Sequence, residues 1–228
     1  MSPLWRRVIA ELLGSLLLTG VVIGSGILAA RLSDGNDAIA LLGNTGATAA
    51  ILFVLITAFG PISGAHFNPA VTLVMTLRRH LGFTDALFYV IAQMAGCIAG
   101  ALLAHAMFEL PLIQSSAHVR AGFGQALSEG AATFVLVLTI LLVTQARPQA
   151  VAAAVALTIA AGYWWTASTS FANPAITIAR AMSDTFAGIR PADAPAFIVA
   201  QVTGALLASA FATLLTPAEA PMASRSPS

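Results

Sequence analysis

The sequence contains no lysine, a single cysteine and few charged residues of either sign. All ten basic residues are arginines, and 8% of the 228 residues are charged, where a soluble domain has roughly 25%. With a net charge of +1 and no basic patch to neutralise phosphates, a nucleic-acid partner is excluded. Cys97 has no second cysteine with which to form an intrachain disulfide.

The motifs of enzymes and metalloproteins are also missing. The sequence has no phosphate-binding loop, no nucleophile motif and no Cys/His spacing typical of a metal site. We therefore expect no catalytic residues, no metal and no cofactor. The first apolar run is long enough to span a membrane and lacks a small-residue cleavage site, so we interpret it as a mature helix rather than a signal peptide.

What the sequence does contain is apolar surface, since 58% of its residues are hydrophobic. Such a chain would expose large apolar patches in water, so a lipid bilayer is the expected environment. Six runs are long enough to cross a hydrocarbon core of about 30 Å. We predict these spans at Val8–Ala30, Ala38–Phe59, Phe83–Phe108, Gly124–Thr144, Ala150–Trp165 and Ala194–Leu215.

Two further apolar segments, Pro69–Leu77 and Pro174–Met182, are too short to span. As helices they would reach roughly 13 Å, about half of the hydrocarbon core. Each follows a polar stretch rich in Gly, Ser or Thr. Irregular backbone at membrane depth is tolerated only where protein buries it or water lines it. We therefore predict two re-entrant loops, each ending in a half-helix that begins near the midplane.

The two halves of the chain repeat one pattern. Each contains an acid, an Asn-Pro-Ala tripeptide and a glutamine in the same order: Glu11, Asn68-Pro69-Ala70 and Gln93, then Glu129, Asn173-Pro174-Ala175 and Gln201. Because each half has three spans, the second must enter the membrane from the opposite side. The sequence thus predicts one channel domain built from inverted repeats 1–110 and 120–216, with a flexible C-terminal tail, 217–228.

The Asn-Pro-Ala tripeptides are helix starts with an electrostatic consequence. Asn is a strong N-cap and Pro suits the first helical position. The N-terminus of a helix carries unpaired N–H groups and roughly half a positive charge. Where two such ends meet at midplane, Asn68 and Asn173 are fixed donors. A neutral solute can replace its hydrogen bonds to water with hydrogen bonds to these donors, whereas cations and protons meet an unfavourable potential. One tripeptide would be an ordinary helix start, but two at equivalent positions indicate a pore. Its midplane residues are Asn68, Pro69, Ala70, Asn173, Pro174 and Ala175.

These features resemble the aquaporin, or major intrinsic protein, family over residues 7–215, and the run from Ser63 to Thr72 matches the family's first motif closely. The resemblance implies an all-α membrane fold, a right-handed bundle of six transmembrane helices and two re-entrant half-helices, in a homotetramer with one pore per subunit. It further implies a pore-lining role for His66. The same resemblance implies buried polar pairs that hydrogen-bond the re-entrant loops, formed by Glu11, Glu129, Gln93 and Gln201.

The sequence departs from that family at one position of the selectivity filter. Most members have arginine three residues after the second motif Asn, where this chain has Ile176. By spacing from the motifs, the other filter positions are Thr48, Ala161 and Ser170. This set is small and lacks the guanidinium, so we expect a wider and less electropositive constriction. The branched apolar side chain of Ile176 at this position resembles a bacterial branch of aquaglyceroporin-like channels associated with arsenic resistance. The implied permeants are glycerol-like polyols, metalloid hydroxides such as arsenite, methylated arsenicals and water.

Three alternatives remain open at this point. The protein could be a general glycerol and water facilitator with no arsenic role, or a structural membrane protein with a closed pore. It could also be a proton-coupled transporter that uses Glu11 and Glu129. The role of Arg180 is open as well: four residues after Ile176, it either extends outward to the surface or reaches over the pore mouth.

The distribution of arginine predicts the orientation. We expect the protein in the inner (plasma) membrane of a bacterial cell, with both termini in the cytoplasm. In this orientation six arginines lie on the cytoplasmic side and four on the outer side, which is a weak positive-inside bias. The inner set is Arg6, Arg7, Arg78, Arg79, Arg147 and Arg225, and the outer set is Arg31, Arg120, Arg180 and Arg190.

Overall fold

The structure is a computed structural model that describes residues 2–215, so the predicted tail, 217–228, lies outside the described residues. Over that range the chain is all helical, without a strand. Its α-helices are α1 (Leu4–Leu32), α2 (Asp37–Ser63), α3 (Pro69–Leu77), α4 (Phe83–Met107), α5 (Phe123–Ala146), α6 (Val151–Trp165), α7 (Pro174–Ala181) and α8 (Ala194–Leu215). Short 3-10 turns at Pro148–Ala150 and Pro191–Asp193 precede α6 and α8.

Five helices of the described chain, α1, α2, α4, α5 and α8, are long and apolar enough to cross a membrane. The sixth predicted span is α6, whose 15 residues follow directly on a 3-10 turn. Several helices extend beyond their predicted ends: α2 continues past Phe59 to Ser63 with Pro61 inside its last turn. A proline near a helix end removes only one backbone hydrogen bond, so the helix tolerates it there.

The two half-helices begin at the Asn-Pro-Ala tripeptides, as the sequence predicted. The side chain of Asn68 accepts a hydrogen bond from the backbone N–H of Ala70 at 2.9 Å, and Asn173 accepts one from Ala175 at 3.0 Å. Both asparagines have extended backbone and proline follows at the first helical position. These caps satisfy N–H groups that would otherwise be unpaired in the middle of the bundle.

Small residues allow the closest helix contacts. The Cα atoms of Gly96 and Gly100 on α4 face the backbone of α1, where any Cβ would clash with carbonyl oxygens. Gly204 on α8 meets Gly130 on α5 in the same way. In lipid, helices associate through this kind of close backbone packing, because apolar burial gives little preference for protein over acyl chains.

Large apolar side chains cover the outside of the bundle. Phe83 and Phe123 are more than 80% exposed, and Trp5, Trp164 and Trp165 are exposed near helix ends, where aromatic residues favour the membrane interface. Together with the long apolar helices, this surface belongs to a multi-pass membrane protein. The predicted fold class, an all-α membrane bundle with two half-helices, is confirmed.

Candidate functional site

The first re-entrant loop is held by the carboxylate of Glu11, which is fully buried. The hydroxyl of Ser63 and the backbone N–H of His66 donate to one oxygen at 2.6 and 3.0 Å. The backbone N–H of Phe67 and the amide of Gln93 donate to the other at 2.7 and 2.8 Å. Four donors satisfy the buried acid, which thereby fixes loop backbone that no helix or sheet supports.

Glu129 holds the second loop through an equivalent set of partners. Ser168 and the N–H of Phe171 donate to one oxygen at 2.5 and 2.8 Å. The N–H of Ala172 and the amide of Gln201 donate to the other at 2.8 and 2.6 Å. The four polar residues that the resemblance paired, Glu11 with Gln93 and Glu129 with Gln201, are thus in direct contact.

The two loops meet each other through the motif asparagines. The amide nitrogen of Asn68 donates to the carbonyl of Ala172 at 2.7 Å, and that of Asn173 donates to the carbonyl of Phe67 at 2.8 Å. The acceptors are backbone carbonyls of residues with positive φ, Phe67 at 47° and Ala172 at 48°. Left-handed backbone is unfavourable for residues with a Cβ. The glutamate networks are the interactions that offset this cost.

Both asparagines line a single narrow cavity of about 90 Å³, which residues of both re-entrant loops border. Each Asn amide has two N–H protons, and each makes one hydrogen bond with a loop carbonyl, which leaves a donor for the cavity. One wall is apolar, with Leu18, Val22, Leu52, Ile56, Val155 and Ile159. Polar groups lie among these residues: Thr48, His66, Asn68, Asn173, Tyr163, Ser170 and Arg180. A lumen with an apolar wall and a few placed donors suits small, partly polar molecules.

The structure brings together three of the four residues expected at the filter. Thr48, Ser170 and Ile176 all line the cavity. Ala161 does not: it is exposed on the outside of α6, and the prediction for this residue is wrong. Counting back from Asn173 predicts Ala161 at this place. The cavity instead follows the helical spacing of α6.

The residue of α6 that lines the cavity near Thr48 is Tyr163. Val155, Ile159 and Tyr163 recur every four residues along α6 and line the cavity together. Ala161, two positions from Ile159, lies roughly 200° around the helix. The hydroxyl of Tyr163 lies 3.3 Å from that of Thr48, so the cavity beside Thr48 contains a phenol that spacing alone did not reveal.

Arg180 is buried rather than extended to the surface, with 2% of its area exposed. Its Nε donates to the carbonyl of Ala187, and its guanidinium carbon lies 3.3 Å from the centroid of the Phe171 ring. The side chain lines the same cavity as Ile176. Of the two open interpretations for Arg180, the outward-extended one is therefore wrong.

A second arginine near this site was not singled out from the sequence. Arg120, from the segment between α4 and α5, is 8% exposed and donates to the carbonyls of Gly188 and Ser168 at 2.8 and 3.1 Å. Its guanidinium carbon is 5.1 Å from the Phe171 centroid. Burial lowers the pKa of Arg120 to about 10, so the group is still charged near pH 7. The only sequence signal was an arginine in a segment otherwise poor in charge.

His66, from the first re-entrant loop, also lines the cavity. Its Nδ1 is 3.1 Å from the hydroxyl of Thr72, which also accepts a hydrogen bond from Gln93 at 2.9 Å. The His66 ring packs edge to face on Tyr89 with centroids 5.4 Å apart. The ring is therefore fixed in orientation by the same network that holds the first loop.

The chain is similar to known proteins in both sequence and structure. The sequence pattern described as major intrinsic protein matches residues 1–160 and 145–228 of the chain. The chain is 54% identical over 216 residues to "Aquaglyceroporin AqpS" of Rhizobium meliloti (strain 1021), covering 94% of this chain and 92% of that protein. It is 35% identical over 147 residues to "Aquaporin-2" of Rattus norvegicus, covering 62% of this chain and 52% of that protein.

Among solved structures, the aquaglyceroporin from Plasmodium falciparum superposes with a TM-score of 0.69, covering 92% of this chain and 95% of that one. Sequence identity between the two is 20%. At that identity the superposition speaks to the fold alone.

Proposed function

Because this chain belongs to the major intrinsic protein family, whose aquaglyceroporin members are membrane channels and not enzymes, we propose that it forms a passive pore in which the cavity described above is the permeation path. The observation that carries the proposal is the single cavity lined by both Asn68 and Asn173. Two helix N-termini facing one lumen give it a positive potential at midplane. Neutral solutes can hydrogen-bond there, while cations and hopping protons are opposed.

The permeants we propose are small uncharged molecules with hydroxyl groups: glycerol-like polyols, metalloid hydroxides such as arsenite, methylated arsenicals, and water. The apolar wall accommodates the carbon face of a polyol, and the placed donors and hydroxyls bind its oxygens. Neutral arsenic trihydroxide presents three hydroxyls in a similar volume. In the filter, Ile176 is a hydrophobic side chain where an arginine would narrow the lumen, which favours solutes larger than water.

A proton-coupled transporter is not favoured by the geometry of its two candidate carboxylates. Glu11 and Glu129 are fully buried, neither lines the cavity, and each accepts four hydrogen bonds. A carboxylate that relays protons along a pathway must face that pathway. The alternative that stays close to our proposal is a glycerol and water facilitator with no arsenic role.

The orientation that we propose has both termini in the cytoplasm of a bacterial cell. Two of the four arginines expected outside, Arg120 and Arg180, are buried in the described structure. Among residues 2–215, Arg31 and Arg190 then contribute exposed charge on that side, against Arg6, Arg79 and Arg147 on the inner side, which retains a weak positive-inside bias. Accessibility of single cysteines placed in the α1–α2 and α3–α4 segments to an impermeant reagent would test this orientation.

We propose a homotetramer with one pore per subunit, on the strength of the family resemblance. The exposed apolar surface of the bundle is compatible with both lipid and subunit contacts. Mass spectrometry of the intact complex released from detergent would give the number of subunits. A monomer that carries full flux in liposomes would contradict the proposal.

The central test is flux in proteoliposomes. Glycerol, arsenite and water should each equilibrate faster than in empty liposomes, and no solute should accumulate above its external concentration. An imposed pH gradient should leave the rates and end points unchanged. Uphill accumulation, or flux that collapses with the gradient, would contradict a passive pore. Glycerol flux without arsenite flux would instead favour the alternative, a general glycerol and water facilitator with no arsenic role.

A further inference from the structure

Arg180 brings a cation to a filter that lacks one at position 176. On α7 it follows Ile176 by four residues, which is about one helical turn, or 5.4 Å. Long side chains on a helix point back toward its N-terminus and cover the preceding turn. The Arg180 side chain accordingly lies over Phe171, on the loop that leads into α7, and lines the cavity with Ile176.

The hydrogen-bond donors of this guanidinium are only partly used. The Nε atom donates to the carbonyl of Ala187 and so fixes the head group. Among residues 2–215 neither terminal nitrogen has a hydrogen-bond partner, and neither is sealed inside the protein. Since the residue is 98% buried and lines the cavity, these nitrogens face its lumen. An almost fully buried guanidinium with open donors is a binding group for an acceptor oxygen.

No acid neutralises Arg180 within the described chain. The ion pairs found there are Arg7 with Asp85 and Arg190 with Asp193. Glu129, the buried acid of this half, already accepts four hydrogen bonds from its own loop and Gln201. An unpaired charge next to a narrow, largely apolar lumen acts at low dielectric, so its effect on a passing ion is strong.

Building on the proposed channel function, we infer that Arg180 is the cationic element of the selectivity filter, placed one turn after the position where the family usually has it. It excludes cations from the outer half of the pore. Its free N–H groups bind solutes that offer acceptor oxygens and carry no positive charge. The filter is therefore wide at Ile176 and still positively charged, a combination that an arginine at position 176 could not give.

Arg120 does not fill this role, although it also lies near Phe171. Two of its nitrogens donate to backbone carbonyls of Gly188 and Ser168, and its backbone N–H donates to Asp193 at 2.9 Å. It does not line the cavity. The contacts of Arg120 hold the α4–α5 segment against the second loop. Its charge adds to the positive potential of the cavity although the side chain does not line it.

The test measures cation leak against neutral flux in the same proteoliposomes. In Arg180→Ala, the ratio of methylammonium or sodium permeability to glycerol permeability should rise at least about tenfold, since an electrostatic barrier at the constriction has been removed. Arg180→Lys, which retains the charge, should stay near wild type. In the double variant Arg180→Ala with Ile176→Arg, cation exclusion should return and glycerol flux should fall, because the charge now lies in the constriction.

Arg31→Ala is the matched control, because this arginine is exposed at the end of α1 and does not line the cavity. The ratio of cation permeability to glycerol permeability in Arg31→Ala should equal that of wild type. If Arg180→Ala folds and excludes cations as well as wild type does, the inference is wrong while the channel function stands. If the alanine variant does not fold, a rise in the ratio for Arg180→Gln supports the inference and an unchanged ratio overturns it. Absence of neutral flux in wild type would instead contradict the proposed function itself.

Discussion

The two re-entrant loops have the same scaffold but present different side chains to the lumen. Counted from the motif asparagine, the residues three and one before it have positive φ in both loops: Ala65 and Phe67 in the first, Ser170 and Ala172 in the second. In each loop a buried glutamate accepts a serine hydroxyl, two backbone N–H groups and a glutamine amide. The scaffold is thus repeated down to individual hydrogen bonds.

The differences occur at the positions that face the cavity. Two residues before the asparagine stands His66 in the first loop and Phe171 in the second. Seven residues after it, the first half-helix has Met75 and the second has Arg180, and both line the cavity. The comparison teaches that the repeated scaffold fixes where the half-helices meet, while a few substitutions at lumen positions give the two ends of the pore different chemistry.

The largest effect should come from removing the glutamates, and it should be nearly equal in the two loops. Glu11→Ala and Glu129→Ala each leave four donors of a buried loop without an acceptor, at about 1–3 kcal/mol for each unsatisfied group. Both variants should show a large fall in thermal midpoint in detergent, whereas Asp37→Ala, at an exposed helix start, should show little change. A stable Glu129→Ala variant beside an unstable Glu11→Ala variant would break the equivalence of the scaffolds.

A large change in solute preference should follow Ile176→Arg. Thr48, Ser170 and Tyr163 leave room at the constriction that the arginine side chain would partly fill. The ratio of glycerol or arsenite flux to water flux should fall roughly tenfold, as expected when a pocket excludes one or two carbon-sized units. The ratio is measured at matched protein levels, with the volume-conserving Ile176→Leu as control. A ratio that stays the same or rises would show that Ile176 is not at the constriction.

A smaller effect is expected for the motif asparagines. Asn68→Ala and Asn173→Ala each remove a helix cap, worth about 1 kcal/mol, a contact between the loops and one donor in the lumen. Flux should fall or proton leak should rise, somewhat more for Asn173, which caps two N–H groups where Asn68 caps one. Wild-type flux and selectivity in both single variants and in the double variant would refute the midplane role.

The smallest effect should come from Tyr163→Phe, which removes the hydroxyl near Thr48 but retains the ring. At about 0.5–1.5 kcal/mol for one hydrogen bond, we expect a change of a few fold in the ratio of glycerol to water flux. Ala161→Val is the control, because this residue faces outward and its substitution should leave the ratio unchanged. Stopped-flow light scattering measures the glycerol flux and the water flux of each variant. If Ala161→Val changes the ratio and Tyr163→Phe does not, our correction of the filter is itself wrong.

Much of the bundle followed from local sequence. Each of the six apolar runs forms a helix, and α8 begins where it was expected, at Ala194. The Asn-Pro dipeptides fixed the starts of α3 and α7, because capping and the proline ring act within one turn. The resemblance to the family, drawn from the motifs, is confirmed by the sequence matches along the chain.

Hydrophobicity, caps and motif spacing, all of which the sequence by itself determines, thus define a membrane bundle with two facing half-helices. The tertiary structure decided which side chains reach the lumen. Tyr163, and not Ala161, lines the cavity because the face of α6 toward the cavity depends on how the helix packs. Arg180 became a buried, cavity-lining group because the carbonyl of Ala187 and the ring of Phe171 lie where its side chain reaches. Contacts between distant segments set these orientations, and no periodicity within a single helix contains that information.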